Sequence, residues 1–132
     1  MSVYIDTSAF LAVLNADDRH HPAARDHWVA LLGGDETLIC TNYLLVETCA
    51  LIQARFGMAA LRPFHDAVAP LLHIVWVDAA THRAGIAALL TADRRRLSLV
   101  DCISFETIRR LAISRVFAFD PHFAEQGFSI LS

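Results

Sequence analysis

The sequence predicts an α/β domain in which a parallel sheet of about five strands lies between two layers of helices. Three observations predict it. Short runs rich in β-branched and aromatic residues alternate with longer helical segments along the whole chain. The connections between successive strands are too long for hairpins and contain helices, which is what parallel pairing requires. Two of the strands run directly into an aspartate, at the sheet edge where open α/β folds gather their ligands.

With 132 residues, 55% of them hydrophobic, and a mean hydropathy of +0.43, the chain is expected to form one domain, residues 1–132, around a sizeable core. No apolar run reaches membrane-spanning length, because Pro70, Asp78 and Gly85 interrupt the richest region. Asp6 stands where a signal peptide would need its apolar core, so a cytoplasmic location is expected. Cys40, Cys49 and Cys102 show no C-x-x-C spacing and read as small buried hydrophobes of a reducing compartment. The net charge of −3 argues against a broad basic surface for duplex binding. All eleven basic side chains are arginine.

Val3-Tyr4-Ile5 reads as the first strand. Asp6 ends it, and Thr7 or Ser8 is expected to cap a first helix that continues through Leu14. Asn15 to His21 is a polar turn. Pro22 suits the first turn of a second helix, which Gly33-Gly34-Asp35 ends. Leu38 to Thr41 is the second strand, and Asn42 is expected to cap a long third helix, Tyr43 to Arg55. Gly57 stops it, and Met58 to Leu72 reads as a fourth helix with Pro63 early in it. His73 to Val77 is the third strand and Ala79 to Thr91 a fifth helix. After the charged loop Asp93-Arg94-Arg95-Arg96, Ser98 and Asp101 have the spacing of a capping box before a sixth helix, Leu99 to Leu111. Val116 to Phe119 is the fourth strand, ending at Asp120-Pro121, and Phe128 to Leu131 the fifth. Trp28 and Trp76 are expected in the core.

This topology gathers four carboxylates along one rim. Asp6 and Asp120 follow strands, while Glu47 and Asp101 lie near the starts of helices entered from the same edge. Glu47 has Tyr43, Leu44, Ala50 and Leu51 as its helical neighbours, an apolar face on which an ionised carboxylate must be paired, protonated or bound to a cation. Capping and turn formation also account for Asp101 and Asp120 individually. Converging like charges raise one another's pKa, and a divalent cation removes the difficulty. Mg²⁺ takes oxygen ligands and keeps waters for reaction, and paired ions serve phosphodiester cleavage. Hydroxyls of Thr7, Ser8 and Ser98 could orient metal-bound water. Arg94, Arg95 and Arg96 could hold substrate phosphates beside the crevice, the alternative being a solvated loop. The seven histidines have no zinc-site spacing.

The stretches Ile5-Asp6-Thr7-Ser8-Ala9, Leu45-Val46-Glu47, Leu97-Ser98-Leu99-Val100-Asp101 and Phe119-Asp120-Pro121-His122-Phe123 resemble the four acidic motifs of PIN-domain ribonucleases. The compact length and the stretch from Asp17 to Ala23 resemble VapC-type toxins of toxin–antitoxin pairs. The resemblance covers essentially the whole chain. It implies a PIN-like fold and a Mg²⁺- or Mn²⁺-dependent endoribonuclease. Asp6, Glu47 and Asp101 would be metal ligands and Asp120 a fourth, more peripheral acid. It also implies a homodimer silenced by a small cognate antitoxin. Leu51, Ile52, Phe56, Met58, Leu61 and Phe64 add an apolar surplus on the third and fourth helices that suits an interface.

Other classes remain to be weighed. A phosphorelay receiver domain needs a lysine near its acidic pocket. A haloacid-dehalogenase-like phosphatase needs a lysine and an aspartate where Ser8 stands. Neither fits a chain without lysine. An RNA-processing PIN nuclease without a toxin role, and an inactive PIN-like binding module, are the readings nearest to the toxin.

Overall fold

The computed structural model describes residues 1–132. Five strands, β1 (Ser2–Ile5), β2 (Thr37–Thr41), β3 (His73–Val75), β4 (Arg115–Phe117) and β5 (Ser129–Leu131), form one sheet in the order β3-β2-β1-β4-β5. Every pair is parallel. The helices are α1 (Thr7–Leu14), α2 (His21–Leu32), α3 (Asn42–Phe56), α4 (Met58–Pro63), α5 (Ala79–Ala92), α6 (Leu99–Arg110) and α7 (Pro121–Glu125).

From β1 the chain moves outward through β2 to β3, then crosses back to β4 on the other side of β1. Right-handed crossovers in opposite directions put their helices on opposite faces. The packing agrees. Tyr4 hydrogen-bonds Ser104 of α6 at 2.6 Å, while Phe10 of α1 packs edge-on against Phe64 at 5.3 Å. Val3, Tyr4, Ile5, Val116 and Phe117 are wholly buried, so β1 and β4 are covered on both faces, as their uninterrupted apolar runs require. The direction of winding reverses between β1 and β4, and a crevice opens beyond their carboxyl ends.

Several boundaries differ from the sequence expectations, each for a local reason. Asp6, not Thr7 or Ser8, caps α1. Thr41, not Asn42, caps α3, because β2 runs into that helix without a loop; its hydroxyl accepts from the Leu44 amide at 3.1 Å. Asn42 Oδ1 instead accepts from the Val77 amide at 2.8 Å, which draws the chain out of β3 two residues early. Trp76 is therefore not a core residue: it lies on the loop after an edge strand and is 74% exposed. Trp28 does pack against the core, edge-on to Phe10.

The expected helix from Met58 to Leu72 is α4 followed by a π turn (Phe64–Val68) and a 3-10 turn (Ala69–Leu71). Pro63 and Pro70 cannot donate to an α-helical ladder, so the hydrogen bonding shifts register around them. Of the six apolar residues assigned to the surplus, Ile52 and Phe64 are core, whereas Phe56 and Met58 are exposed.

Gly85 lies where α5 meets α6 and is buried. A Cβ there would run into the side chain of Ile103, itself fully buried. Gly85→Ala should therefore cost about 1–3 kcal/mol through overpacking, measured by urea unfolding. Adding Ile103→Val should recover part of the loss; no recovery would show that the close approach is not its cause.

Candidate active site at the sheet switch point

The site begins where β1 ends. The Asp6 amide donates to the Phe117 carbonyl at 3.0 Å, so the β1–β4 ladder continues one residue past the strand and aims the Asp6 side chain into the crevice. Asp6 Oδ2 accepts from the Ser8 amide at 3.1 Å and from the Ser8 hydroxyl at 2.6 Å. The same hydroxyl oxygen accepts from the Phe119 amide at 2.9 Å and the Asp120 amide at 3.3 Å. One serine thus joins the two strands on either side of the switch point.

β4 stops at Phe117, and Ala118 and Phe119 carry the chain to Asp120. Asp120 therefore does not follow directly on the strand, as the sequence suggested. The Ser8 bonds and the Ala118 amide, which donates to the Leu131 carbonyl at 3.2 Å, hold that extension in place. Asp120 Oδ1 then accepts from the His122 amide at 2.9 Å and caps α7, a helix absent from the sequence reading.

Glu47 sits in the second turn of α3 and is half-buried. Beside it Thr48 donates to the Leu44 carbonyl at 2.8 Å, so the Thr7 hydroxyl must be the donor in the 2.8 Å Thr7–Thr48 bond that ties α1 to α3. Asp101 is buried in the first turn of α6. The expected capping box is present: Ser98 Oγ accepts from the Asp101 amide at 3.0 Å and Asp101 Oδ2 accepts from the Ser98 amide at 3.1 Å. Of the three hydroxyls singled out from the sequence, Thr7 points at Thr48, Ser8 at Asp6, and Ser98 at the α6 backbone.

The four carboxylates lie within one another's fields, and for Asp6, Glu47 and Asp101 burial outweighs the hydrogen bonds. Asp6 is pushed up to about 7, chiefly by burial and then by the charges of Asp101 and Asp120, against the Ser8 bonds that lower it. Burial first, and then Asp101, raises Glu47. Asp101 is raised by burial, opposed by the Ser98 amide and reinforced by Asp120. No basic side chain forms an ion pair with Asp6, Glu47 or Asp101.

Two arginines border the cleft next to Asp120. An open cleft of about 550 Å³ is bordered by Ser8, Asp120 and His122 together with Arg55 and Arg96. The three arginines of the loop separate here. Arg94 is tied to Glu125 at 3.0 Å, Arg95 is exposed, and Arg96 faces the cleft. Sequence reasoning missed Arg55, although Glu47, Leu51 and Arg55 follow one i, i+4, i+8 ridge of α3. It also missed His122, whose ring lies with the Asp101 and Asp120 carboxylates in a cluster whose polar atoms fall within 4.8 Å of one another. His122 Nε2 donates to the Arg96 carbonyl at 3.1 Å, so this ring links the arginine loop to α7. Its Nε2 is thereby unavailable to a metal.

The family model described as PIN domain matches residues 3–129. The chain is 29% identical over 127 residues to a protein of Mycobacterium tuberculosis named 23S rRNA-specific endonuclease VapC20, covering 96% of this chain and 95% of that one. The crystal structure of M. tuberculosis VapC20, titled a sarcin–ricin loop cleaving toxin, superposes with a TM-score of 0.85 at 28% identity, covering 96% of each chain. FitAcB from Neisseria gonorrhoeae has a TM-score of 0.70 at 14% identity, covering 98% of this chain and 96% of its own. VapBC2 from Rickettsia felis, bound to a DNA fragment from their promoter, has 0.69 at 12%, covering 98% and 97%. These last two share the fold.

A raised carboxyl pKa stabilises the fold while the group is protonated. The Asp6 contribution is therefore full at acid pH and is lost as pH rises from its ordinary value of 3.8 through about 7. The whole effect is on the order of 4 kcal/mol. In EDTA, the stability of wild type relative to Asp6→Asn should fall between about pH 4 and pH 7, leaving the variant at least as stable at neutral pH. Asn caps as well as Asp, so no compensating loss is expected. Parallel pH profiles of the two proteins in chemical denaturation would refute the buried-charge account.

Proposed function

The chain belongs to the PIN domain family, and from that premise we propose that it is a metal-dependent endoribonuclease, the toxin of a toxin–antitoxin pair, acting on ribosomal RNA. The observation that carries this reading is the convergence of Asp6, Glu47, Asp101 and Asp120 at the switch point, the first three raised in pKa and without an ion-pair partner, beside a cleft bordered by Arg55 and Arg96. An acidic cluster needed only for stability would be paired; this one is left for a cation. Similarity to the M. tuberculosis 23S rRNA-specific endonuclease supports the substrate class.

The donor set fits Mg²⁺ or Mn²⁺. Asp6, Asp101 and Asp120 each spend one carboxylate oxygen on a helix cap and keep the other, and Glu47 caps no helix. These are hard oxygen donors without a thiolate among them. A bound ion would neutralise the cluster and supply a nucleophilic water near neutral pH. The chain's own residues do the rest. Arg96 and Arg55 attract the RNA backbone, and guanidinium groups meet phosphate oxygens in a bidentate fork. Ser8 and Ser98 hold Asp6 and Asp101 in fixed rotamers, so the acids need not reorganise when substrate arrives.

The partners follow from the surfaces. An acidic cleft with Leu11, Phe119 and Pro121 on its walls suits the arm of a small antitoxin that inserts an arginine among the acids between apolar anchors. Self-association is proposed for a different face of α3 from the one that carries Glu47 and Arg55. There Val46, 71% exposed, and Trp76 border an apolar hollow with Leu45 and Ala50. No helix is long and apolar enough to cross a membrane. The three free cysteines suit the reducing cytoplasm.

Purified protein should cleave 23S rRNA in Mg²⁺ or Mn²⁺ and not in EDTA. Asp6→Asn, Glu47→Gln and Asp101→Asn should each lower kcat by about 10²-fold or more, and the double variants should lose little further, as for groups acting as a unit. Undiminished cleavage by Glu47→Gln would remove the metal-site reading. Sedimentation at micromolar concentration should find a dimer that Val46→Asp and Trp76→Ser convert to monomer; a monomeric wild type would reject the proposed self-association.

A further inference from the structure

The aromatic pair beside the acids has a role that the acids do not explain. The His20 and Phe119 rings stack with centroids 4.5 Å apart and planes 16° from parallel. Both are half-buried, and the pair borders two adjoining hollows. One is the arginine-rimmed cleft over Asp120. The other, of about 330 Å³, has small apolar walls from Ala23, Ala118, Ala124 and Ile130. Asp120 and Pro121 also belong to both.

The stack is fixed relative to the acids. The Phe119 amide is bonded to the Ser8 hydroxyl that holds Asp6. Phe117 packs edge-on behind Phe119 at 6.0 Å. His20 comes from the turn between α1 and α2, which Asx contacts order. Asp18 Oδ1 accepts from the His20 amide at 2.8 Å, and Asn15 Oδ1 accepts from the Asp17 amide at 3.0 Å. Arg19 Nε donates to His20 Nε2 at 3.1 Å, which holds the ring against Phe119.

We propose that the His20–Phe119 stack is a nucleobase platform, and that one base flanking the scissile phosphate of single-stranded RNA lies against it in the second hollow. Arg96 and Arg55 would draw the phosphates of the same strand over the first hollow. This rests on the endoribonuclease reading and extends it to the positioning of substrate. A continuous pair of hollows, one cationic at its rim and one apolar, matches the alternation of phosphate and base along a strand. A stacked aromatic pair between them suits an unstacked base from an RNA loop. His20 and Phe119 are positioning residues here, since the reacting atoms lie with the carboxylates.

The test uses full-length protein, Mg²⁺ and a synthetic hairpin carrying the sarcin–ricin loop sequence of 23S rRNA. His20→Ala should raise KM about tenfold, the loss expected for one base stack, with kcat changed less than about twofold. His20→Phe and His20→Trp should restore KM, and thermal melts should place all three variants close to wild type. Removing the base next to the cleavage point should weaken wild type by a similar factor and add little to His20→Ala, because both delete one contact. An unchanged KM in His20→Ala would overturn the proposal while leaving the nuclease reading intact, and would free this surface for a protein partner. Failure of the aromatic variants to rescue would overturn it too. A wild-type protein that cleaves no RNA, neither the hairpin nor whole 23S rRNA, would instead remove the functional reading and this proposal with it.

Discussion

The structure turns on the Ser8 hydroxyl. It gives its single proton to Asp6 and receives amide protons from Phe119 and Asp120. A sheet that reverses its direction of winding must leave a gap beyond β1 and β4, because no crossover covers that point. Ser8 bridges the gap. It lets a buried carboxylate persist by supplying a hydrogen bond where water would otherwise be needed, and it fixes the path of the chain that delivers the fourth acid. Asp6, Asp120, the start of α7 and the Phe119 ring all take their positions from this oxygen.

The like charges around it impose a second constraint. Burial and mutual repulsion make the apo crevice a strained part of an otherwise ordinary α/β core. The chain tolerates this because each acid also does structural work: Asp6, Asp101 and Asp120 all accept backbone hydrogen bonds at the beginnings of helices. A helix N-terminus favours negative charge, so α1, α6 and α7 partly offset the repulsion. Glu47 lacks such a role, which makes it the acid whose presence says most about chemistry.

Local signals were legible in the sequence. The strand runs, the capping box at Ser98 and Asp101, and the break at Gly57 each depend on a few consecutive residues. The parallel sheet and the shared edge of the four acids followed from the order of elements alone. What escaped was set by tertiary packing. β4 gives way after Phe117 because Ser8 captures the next amide but one, and nothing near Phe119 announces that. α7 has five residues and no apolar periodicity long enough to detect. Trp76 looks like core by composition, yet it follows an edge strand that Asn42 cuts short. Arg55 and His122 reach the crevice from elements far apart in the chain. Only their convergence identifies them.

The sheet's outer strands have a consequence of another kind. β3 and β5 are three residues each, and every interior strand is already paired on both sides. An exposed edge is the usual template for runaway strand addition, and brevity is one of the ways natural proteins blunt it. Charged or polar groups at His73 and Ser129 shorten the usable apolar edge further. A chain this rich in apolar residues would otherwise invite cross-β assembly. With its edges this short, the free protein can accumulate without its sheet propagating from copy to copy.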